Sequence, residues 1–72
     1  ELKDVAGALE DYARAIELDP RLPQAWGARG FERWRAGDAR GAVEDLTRAV
    51  ELDPAFETAW KNRSRARSDL GE

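Results

Sequence analysis

The sequence repeats itself with a period of 34 residues. When residues 1–38 are laid on residues 35–72, 16 of the 38 positions are identical. The clearest match runs from Glu10 to Pro20, whose acidic pair and final Glu-Leu-Asp-Pro recur between Glu44 and Pro54. A fixed period of roughly 20–50 residues is typical of a repeat array, in which each unit packs on its neighbours. Such arrays usually serve as binding surfaces rather than enzymes, so the period constrains both the fold and the class of function.

The composition excludes several kinds of chemistry. The 72 residues contain no Cys and no His, so a disulfide, a thiolate nucleophile and a His general base are all impossible. A zinc site lacks its usual ligands and no Gly-rich phosphate loop is present, so we expect no metal, no cofactor and no enzyme activity. The apolar runs are only a few residues long, and we expect no contact with a membrane. The net charge of −3 argues against nucleic acid as a partner.

Three features bear on the setting of the chain. A chain without Cys and with this charge fits the cytoplasm, which is the compartment that we expect. No signal peptide is visible. Met is absent, even at position 1, so we expect the chain to be cut from a longer protein.

Four amphipathic helices are predicted. From about residue 4 to residue 18, apolar residues recur at the i, i+3, i+4, i+7 spacing of one helix face. Asp19-Pro20 ends this helix, because proline disfavours the α conformation in the residue before it. The same kinds of signal place the other helices at about residues 24–36, 39–52 and 57–70. Because the connections are short, neighbouring helices are expected to be antiparallel.

A helix-turn-helix unit of this length resembles the tetratricopeptide repeat. In the central unit, the family's characteristic small, aromatic and proline positions are held by Trp26, Gly30, Ala42, Ala49 and Pro54. Small residues belong where two helix backbones approach closely, and the aromatic ring fills the wedge between paired helices. The resemblance covers the whole chain and implies an all-α, antiparallel array, a right-handed solenoid segment of four helices in a single domain. It implies one complete repeat at residues 23–56 between two half repeats.

The arginines depart from the family's pattern. Arg29 and Arg63 stand where the family often has Leu, and two further arginines, one turn later, stand where it often has Tyr. Charges that point toward the groove between paired helices need partners, because an unpaired buried charge is costly. We expect Arg29 and Arg63 to pair across helices. The predicted partners are Asp11 or Asp45.

Two pairs of residues that are separated by one 34-residue period bear on how the helices pack. Trp26 and Trp60 are both assigned to the core. Ser64, however, replaces the glycine seen at Gly30.

The predicted binding face lies on the second and fourth helices. In tetratricopeptide repeats the first helix of each unit lines a concave surface that usually holds the ligand, and the resemblance carries that role onto these two helices. The spacing of the residues also traces one face of each helix. The predicted partner-binding residues are Gln24, Gly27, Phe31, Trp34, Arg35, Thr58, Lys61, Asn62, Arg65 and Ser68, and Asp69 belongs to the same face.

Two aromatic residues on this face allow two interpretations. Phe31 and Trp34, beside the gap left by Gly27, form an apolar docking pocket in the first, since exposed aromatics flanked by Arg are typical of binding hot spots. In the second, Trp34 packs against the neighbouring helix and is core. Both stay open.

Basic and acidic charge alternate from helix to helix. Residues 24–36 and 57–70 each carry a net charge of +2, whereas residues 4–18 carry −3 and residues 39–52 carry −1. A basic concave face would steer an acidic peptide. The same alternation arises if the arginines pair with the acidic helices and need no ligand, so both interpretations stay open.

Lys61 and Arg65 lie one turn apart on the last helix. Some family members grip the C-terminal carboxylate of a chaperone tail with such a pair, together with Asn residues on earlier helices. Ala28 stands where an earlier helix should offer Asn, so a complete clamp is not expected. Solvated charges are the preferred interpretation.

The leading interpretation is a protein-interaction module, a scaffold that binds a peptide or a partner domain on the concave face. The alternative is self-association, because neither end of the array carries the polar cap that solenoids need. Copies would then stack head to tail through their terminal helices. A third interpretation is a regulatory segment of a larger enzyme.

Overall fold

The computed structural model of the chain describes residues 2–72, with side chains from Asp4 onward. In this range there is no strand, and the helices are α1 (Leu2–Leu18), α2 (Pro23–Arg35), α3 (Ala39–Leu52) and α4 (Glu57–Asp69). The predicted all-α fold of four helices is confirmed. The observed bounds lie within about two residues of the predicted ones, which is the usual uncertainty of a helix end.

The helix ends follow from local chemistry. Asp38 caps α3, and its Oδ1 accepts a hydrogen bond of 2.9 Å from the N–H of Gly41. Gly37 and Gly71 follow the last turns of α2 and α4 with φ angles of +90° and +81°. Only glycine adopts this left-handed conformation without strain, so these two residues end their helices. Pro23 begins α2, where a missing N–H costs nothing.

Helices that are neighbours in sequence pack on each other, and α2 also contacts α4. Within the described residues, α1 contacts neither α3 nor α4. The helices therefore alternate between two layers, with α2 and α4 side by side in one of them. The core lies where α3 faces this layer, and its buried residues are Ala42, Leu46, Ala49, Val50, Ala59 and Ala66.

Among the described residues, none of the helices combines the length and the apolar character that crossing a bilayer requires.

A glycine sets the close approach of α2 to α3. A Cβ atom added to Gly30 would lie 2.7 Å from Cγ of Leu46 and 3.2 Å from Cβ of Asp45. No side chain fits there unless the two helices move apart. Gly7 in α1 is the opposite case, because an added Cβ meets no described atom within 4 Å apart from the backbone of its own helix.

The closest part of this contact holds a buried carboxylate. Asp45 is only 2% exposed, and both of its oxygens accept hydrogen bonds from Arg29, at 2.8 and 2.9 Å. Nη1 of Arg33 lies 3.3 Å from the same carboxylate. The hydrogen bond to Asp45 raises the pKa of Arg29 above its ordinary value, against the lowering effect of partial burial. The predicted pairing of Arg29 with Asp45 is confirmed.

The predicted pairing of Arg63 is wrong. Arg63 forms no ion pair with Asp11 or Asp45 in the described part of the chain, and its Nε is buried without a hydrogen-bond partner. The reason lies in the packing. Asp45 is held by Arg29 and Arg33 of α2, and α1, which carries Asp11, does not contact α4 within the described residues.

The assignment of both equivalent tryptophans to the core is correct for one and wrong for the other. Trp26 is partly buried and packs against the core, whereas Trp60 is 45% exposed. Trp26 is covered because α3 packs on its side of α2. No described helix packs on the corresponding side of α4, which leaves Trp60 exposed.

Replacing Asp45 by Ala should destabilise the protein by about 2–3 kcal/mol, because two arginines at the contact lose their carboxylate. For a chain of this size the melting temperature should fall by about 10 °C or more. Circular dichroism during heating of a dilute solution measures the change. Asp11→Ala is the matched control, since Asp11 is one period earlier, exposed and without an ion pair among the described side chains. Equal shifts for the two variants would contradict this account.

Gly30→Ala and Gly7→Ala should change stability in opposite directions. Alanine favours a helix over glycine by about 1 kcal/mol. At Gly7 that gain is unopposed and the melting temperature should rise. At Gly30 the overlap with Leu46 costs about 1–3 kcal/mol, so the melting temperature should fall. Thermal unfolding of both variants tests this, and a stabilised Gly30→Ala variant would show that the helix contact is looser than described.

Candidate functional site

A groove runs between α2 and α4. Its volume is about 290 Å³, and mainly apolar groups line it. The lining residues belong to α2 and α4, except Phe56, which directly precedes α4. They are Gln24, Gly27, Ala28, Phe31, Phe56, Thr58, Ala59 and Asn62. Because both walls are helices packed on α3, the groove exists without any ligand.

Phe56 reaches the groove through the turn before α4. The Oδ1 of Asp53 accepts a hydrogen bond from the N–H of Ala55, and the carbonyl of Asp53 accepts one from the N–H of Phe56. This Asp-Pro turn places the Phe56 ring over the backbone of Gly27, where an added Cβ would lie 2.9 Å from the ring. A residue larger than glycine at position 27 would therefore push the ring out of its place.

The structure brings half of the predicted partner-binding residues together at this groove. The groove-lining members of that set are Gln24, Gly27, Phe31, Thr58 and Asn62. Sequence reasoning missed Ala28, Phe56 and Ala59. The alanines carry no chemical signal of binding. Phe56 follows the Asp-Pro stop, at the position that Leu22 holds one period earlier, and that recurrence of an apolar residue is the signal that could have found it.

Trp34 joins α2 to α4 instead of lining the groove. Its Nε1 donates a hydrogen bond of 2.6 Å to Oδ2 of Asp69, and its ring packs against the core. The ring centroid lies 6.0 Å from that of Phe31. Of the two aromatic residues, Phe31 lies in the groove, and Trp34 holds the two helices side by side.

The remaining predicted residues lie outside the groove lining and are exposed: Arg35, Lys61, Arg65 and Ser68. Arg35 donates to Glu32 at 3.1 Å on the same helix, and its guanidinium lies 5.9 Å from the Phe31 ring centroid. Lys61 and Arg65 make no ion pair among the described side chains.

The positive charge of α2 is therefore largely used within the chain. Arg29 and Arg33 pair with Asp45, and Arg35 pairs with Glu32. For α2, the interpretation in which the arginines pair within the chain and need no ligand is therefore the correct one. On α4, by contrast, Lys61 and Arg65 lie one turn from groove-lining residues and keep their charge free for a partner.

A second hollow lies on the other side of α4 and was not predicted from the sequence. Its volume is about 350 Å³, and its lining residues are Trp60, Arg63, Ser64, Arg67 and Glu72. Arg67 forms an ion pair of 3.4 Å with Glu72, and both side chains are about half exposed. We call this side, with Trp60, Arg63, Ser64 and Arg67, the outer face of α4.

No group of three or more potential metal ligands comes together within the described residues.

Comparison with known proteins gives a family match for the central part of the chain. The family model for the tetratricopeptide repeat matches residues 23–56, from the start of α2 to the turn after α3. A search of curated proteins found no match to the chain. Tetratricopeptide repeats are non-catalytic units that mediate protein–protein interaction. Residues 23–56 of this short chain therefore form a repeat of the tetratricopeptide family.

Proposed function

We propose that the chain binds a peptide segment of a partner protein in the groove between α2 and α4. The observation that carries the proposal is the groove itself, a preformed apolar surface on rigid helices. Its volume of about 290 Å³ is near the lower limit of pockets that enclose a small molecule, about 300 Å³. It suits one or two apolar side chains that anchor a longer peptide.

The lining explains how such a peptide would be held. Phe31 and Phe56 offer apolar surface to the anchor side chain, while Gln24 and Asn62 offer amide groups to the peptide backbone. An apolar centre with a polar rim is the usual anatomy of a binding surface.

Charge determines which peptides are favoured. Arg65 lies three residues after Asn62 and therefore on the same side of α4. It is exposed and has no ion-pair partner among the described side chains. An acidic residue beside the apolar anchor would meet Arg65 and Lys61, and the attraction would raise the rate of association.

Selection of a displayed library of random peptides on the 72-residue chain tests this function. Enriched peptides should carry an apolar residue next to Asp or Glu. Phe31→Ala should weaken their binding about tenfold, because the anchor loses an aromatic wall. Trp60→Ala is the matched control, since it removes an exposed aromatic residue from the outer face of α4 and should leave the affinity unchanged. Equal losses for the two variants, with folding verified by circular dichroism, would overturn the proposal.

A second function, head-to-tail stacking of copies, is favoured by a different observation. We call the side of α1 with Gly7, Ala8, Asp11, Tyr12 and Ala15 the outer face of α1. All five are exposed or half-buried, yet the residues one period later in α3 are all buried. The outer face of α1 thus has the sequence pattern of a buried helix face, but no described helix packs on it.

Stacking would cover this face with the outer face of α4 from another copy, so that the junction between α2 and α3 is repeated between molecules. Sedimentation at increasing concentration should give a weight-average mass that rises above the 8.1 kDa of one chain. A mass that stays at one chain throughout the accessible concentration range would overturn this second function and leave peptide binding untouched.

A further inference from the structure

We propose that the outer face of α4 is a preformed carboxylate-binding site, in which Arg63 and Arg67 receive Asp11 of a second copy. The proposal rests on the stacking function above and names the contact that would hold it in register.

The chain contains a filled version of the same site. In α2, Arg29 holds the carboxylate of Asp45 with two hydrogen bonds of 2.8 and 2.9 Å, and Arg33 approaches it to 3.3 Å. The guanidinium of Arg29 also lies 5.3 Å from the ring centroid of Trp26. Two hydrogen bonds from one guanidinium fix the direction of the carboxylate as well as its position.

In α4 the same three residue types recur, but among the described residues no carboxylate pairs with Arg63. Nε1 of Trp60 donates to the carbonyl of Pro54 at 2.8 Å, as Trp26 donates to Pro20 at 2.8 Å. The guanidinium of Arg63 lies 5.5 Å from the Trp60 ring centroid. The arginine is thus held against its tryptophan almost as it is in the filled site.

The polar groups of this site lack an adequate partner. Nε of Arg63 is buried and has no hydrogen-bond acceptor among the described residues, although a buried charged donor is costly to leave unpaired. Among the same residues, the ion-pair partner of Arg67 is Glu72, at 3.4 Å, and exposed pairs of this kind contribute little to stability. A hollow of about 350 Å³ lies beside the two arginines. It has room for an incoming carboxylate.

Asp11 is the carboxylate that fits by register. It stands one period before Asp45, on the outer face of α1, and makes no ion pair among the described side chains. Asp11 is the one charged residue of the outer face of α1, and Arg63 and Arg67 are the charged residues of the outer face of α4. The two outer faces are therefore complementary in charge. Copies stacked in the register of the repeat would bring Asp11 to Arg63 as Asp45 is brought to Arg29.

Two substitutions set the closeness of this contact. Tyr12 stands where α3 has Leu46, and Ser64 stands where α2 has Gly30. Both are larger, so two copies cannot approach as closely as α2 and α3 do. The contact between copies should be weaker than the one within the chain, and association should appear only at high concentration.

Reversal of charge tests the site. Asp11→Lys alone and Arg63→Glu/Arg67→Glu alone should each weaken self-association about tenfold or more, because each places like charges at the junction. An equimolar mixture of the two variants should associate again, since each junction then joins opposite charges. Sedimentation equilibrium at matched total concentrations measures all three samples, and circular dichroism verifies that each variant folds.

Matched controls carry the same charge changes elsewhere. Glu10→Lys and Arg40→Glu/Arg48→Glu alter exposed side chains outside the two outer faces and should associate like the unmodified chain. Association that survives both junction variants, or a mixture that stays monomeric, overturns the carboxylate site. In the first case stacking itself still stands. A monomeric unmodified chain overturns stacking and the site together, while peptide binding in the groove is measured independently.

Discussion

The packing of α2 on α3 depends on one buried ion pair between Arg29 and Asp45. A carboxylate that is 2% exposed would be strongly destabilising alone. It is tolerated because Arg29 satisfies both of its oxygens and Arg33 adds a second positive charge. The contact lies beside Gly30, at the closest approach of the two helices. The ion pair and the glycine therefore specify together which turn of α2 meets which turn of α3, whereas the apolar contacts of the core are less directional.

The groove is a consequence of this packing. Because α3 faces both α2 and α4, these two helices lie side by side, and Trp34 joins them through its hydrogen bond to Asp69. The space that remains between them is lined by small side chains and by the rings of Phe31 and Phe56. Because packed helices and one turn form the lining, the proposed peptide binding should cost this protein little conformational entropy.

The two halves of this ion pair recur separately, the arginine on α4 and the carboxylate on α1. Arg63 keeps its position against Trp60 but has no carboxylate, and Asp11 has no arginine among the described side chains. Each half follows from the 34-residue period, which repeats the donor and the acceptor separately. A surface of this kind is specific, because a carboxylate must arrive in the correct register to accept a hydrogen bond from the buried Nε of Arg63.

The sequence by itself determined the number of helices and their proline and glycine stops, because these depend on residues close in sequence. It left the partner of Arg29 open between Asp11 and Asp45, and the structure selected Asp45. It also assigned ten residues to one binding face, half of which line the groove. Only the tertiary structure decided that Ala28, Phe56 and Ala59 line that groove, and that Trp34 holds two helices together. It also decided that Trp60 is exposed although Trp26 packs on the core. The physical reason is that a helical pattern specifies which face is apolar, whereas burial depends on which neighbour covers that face.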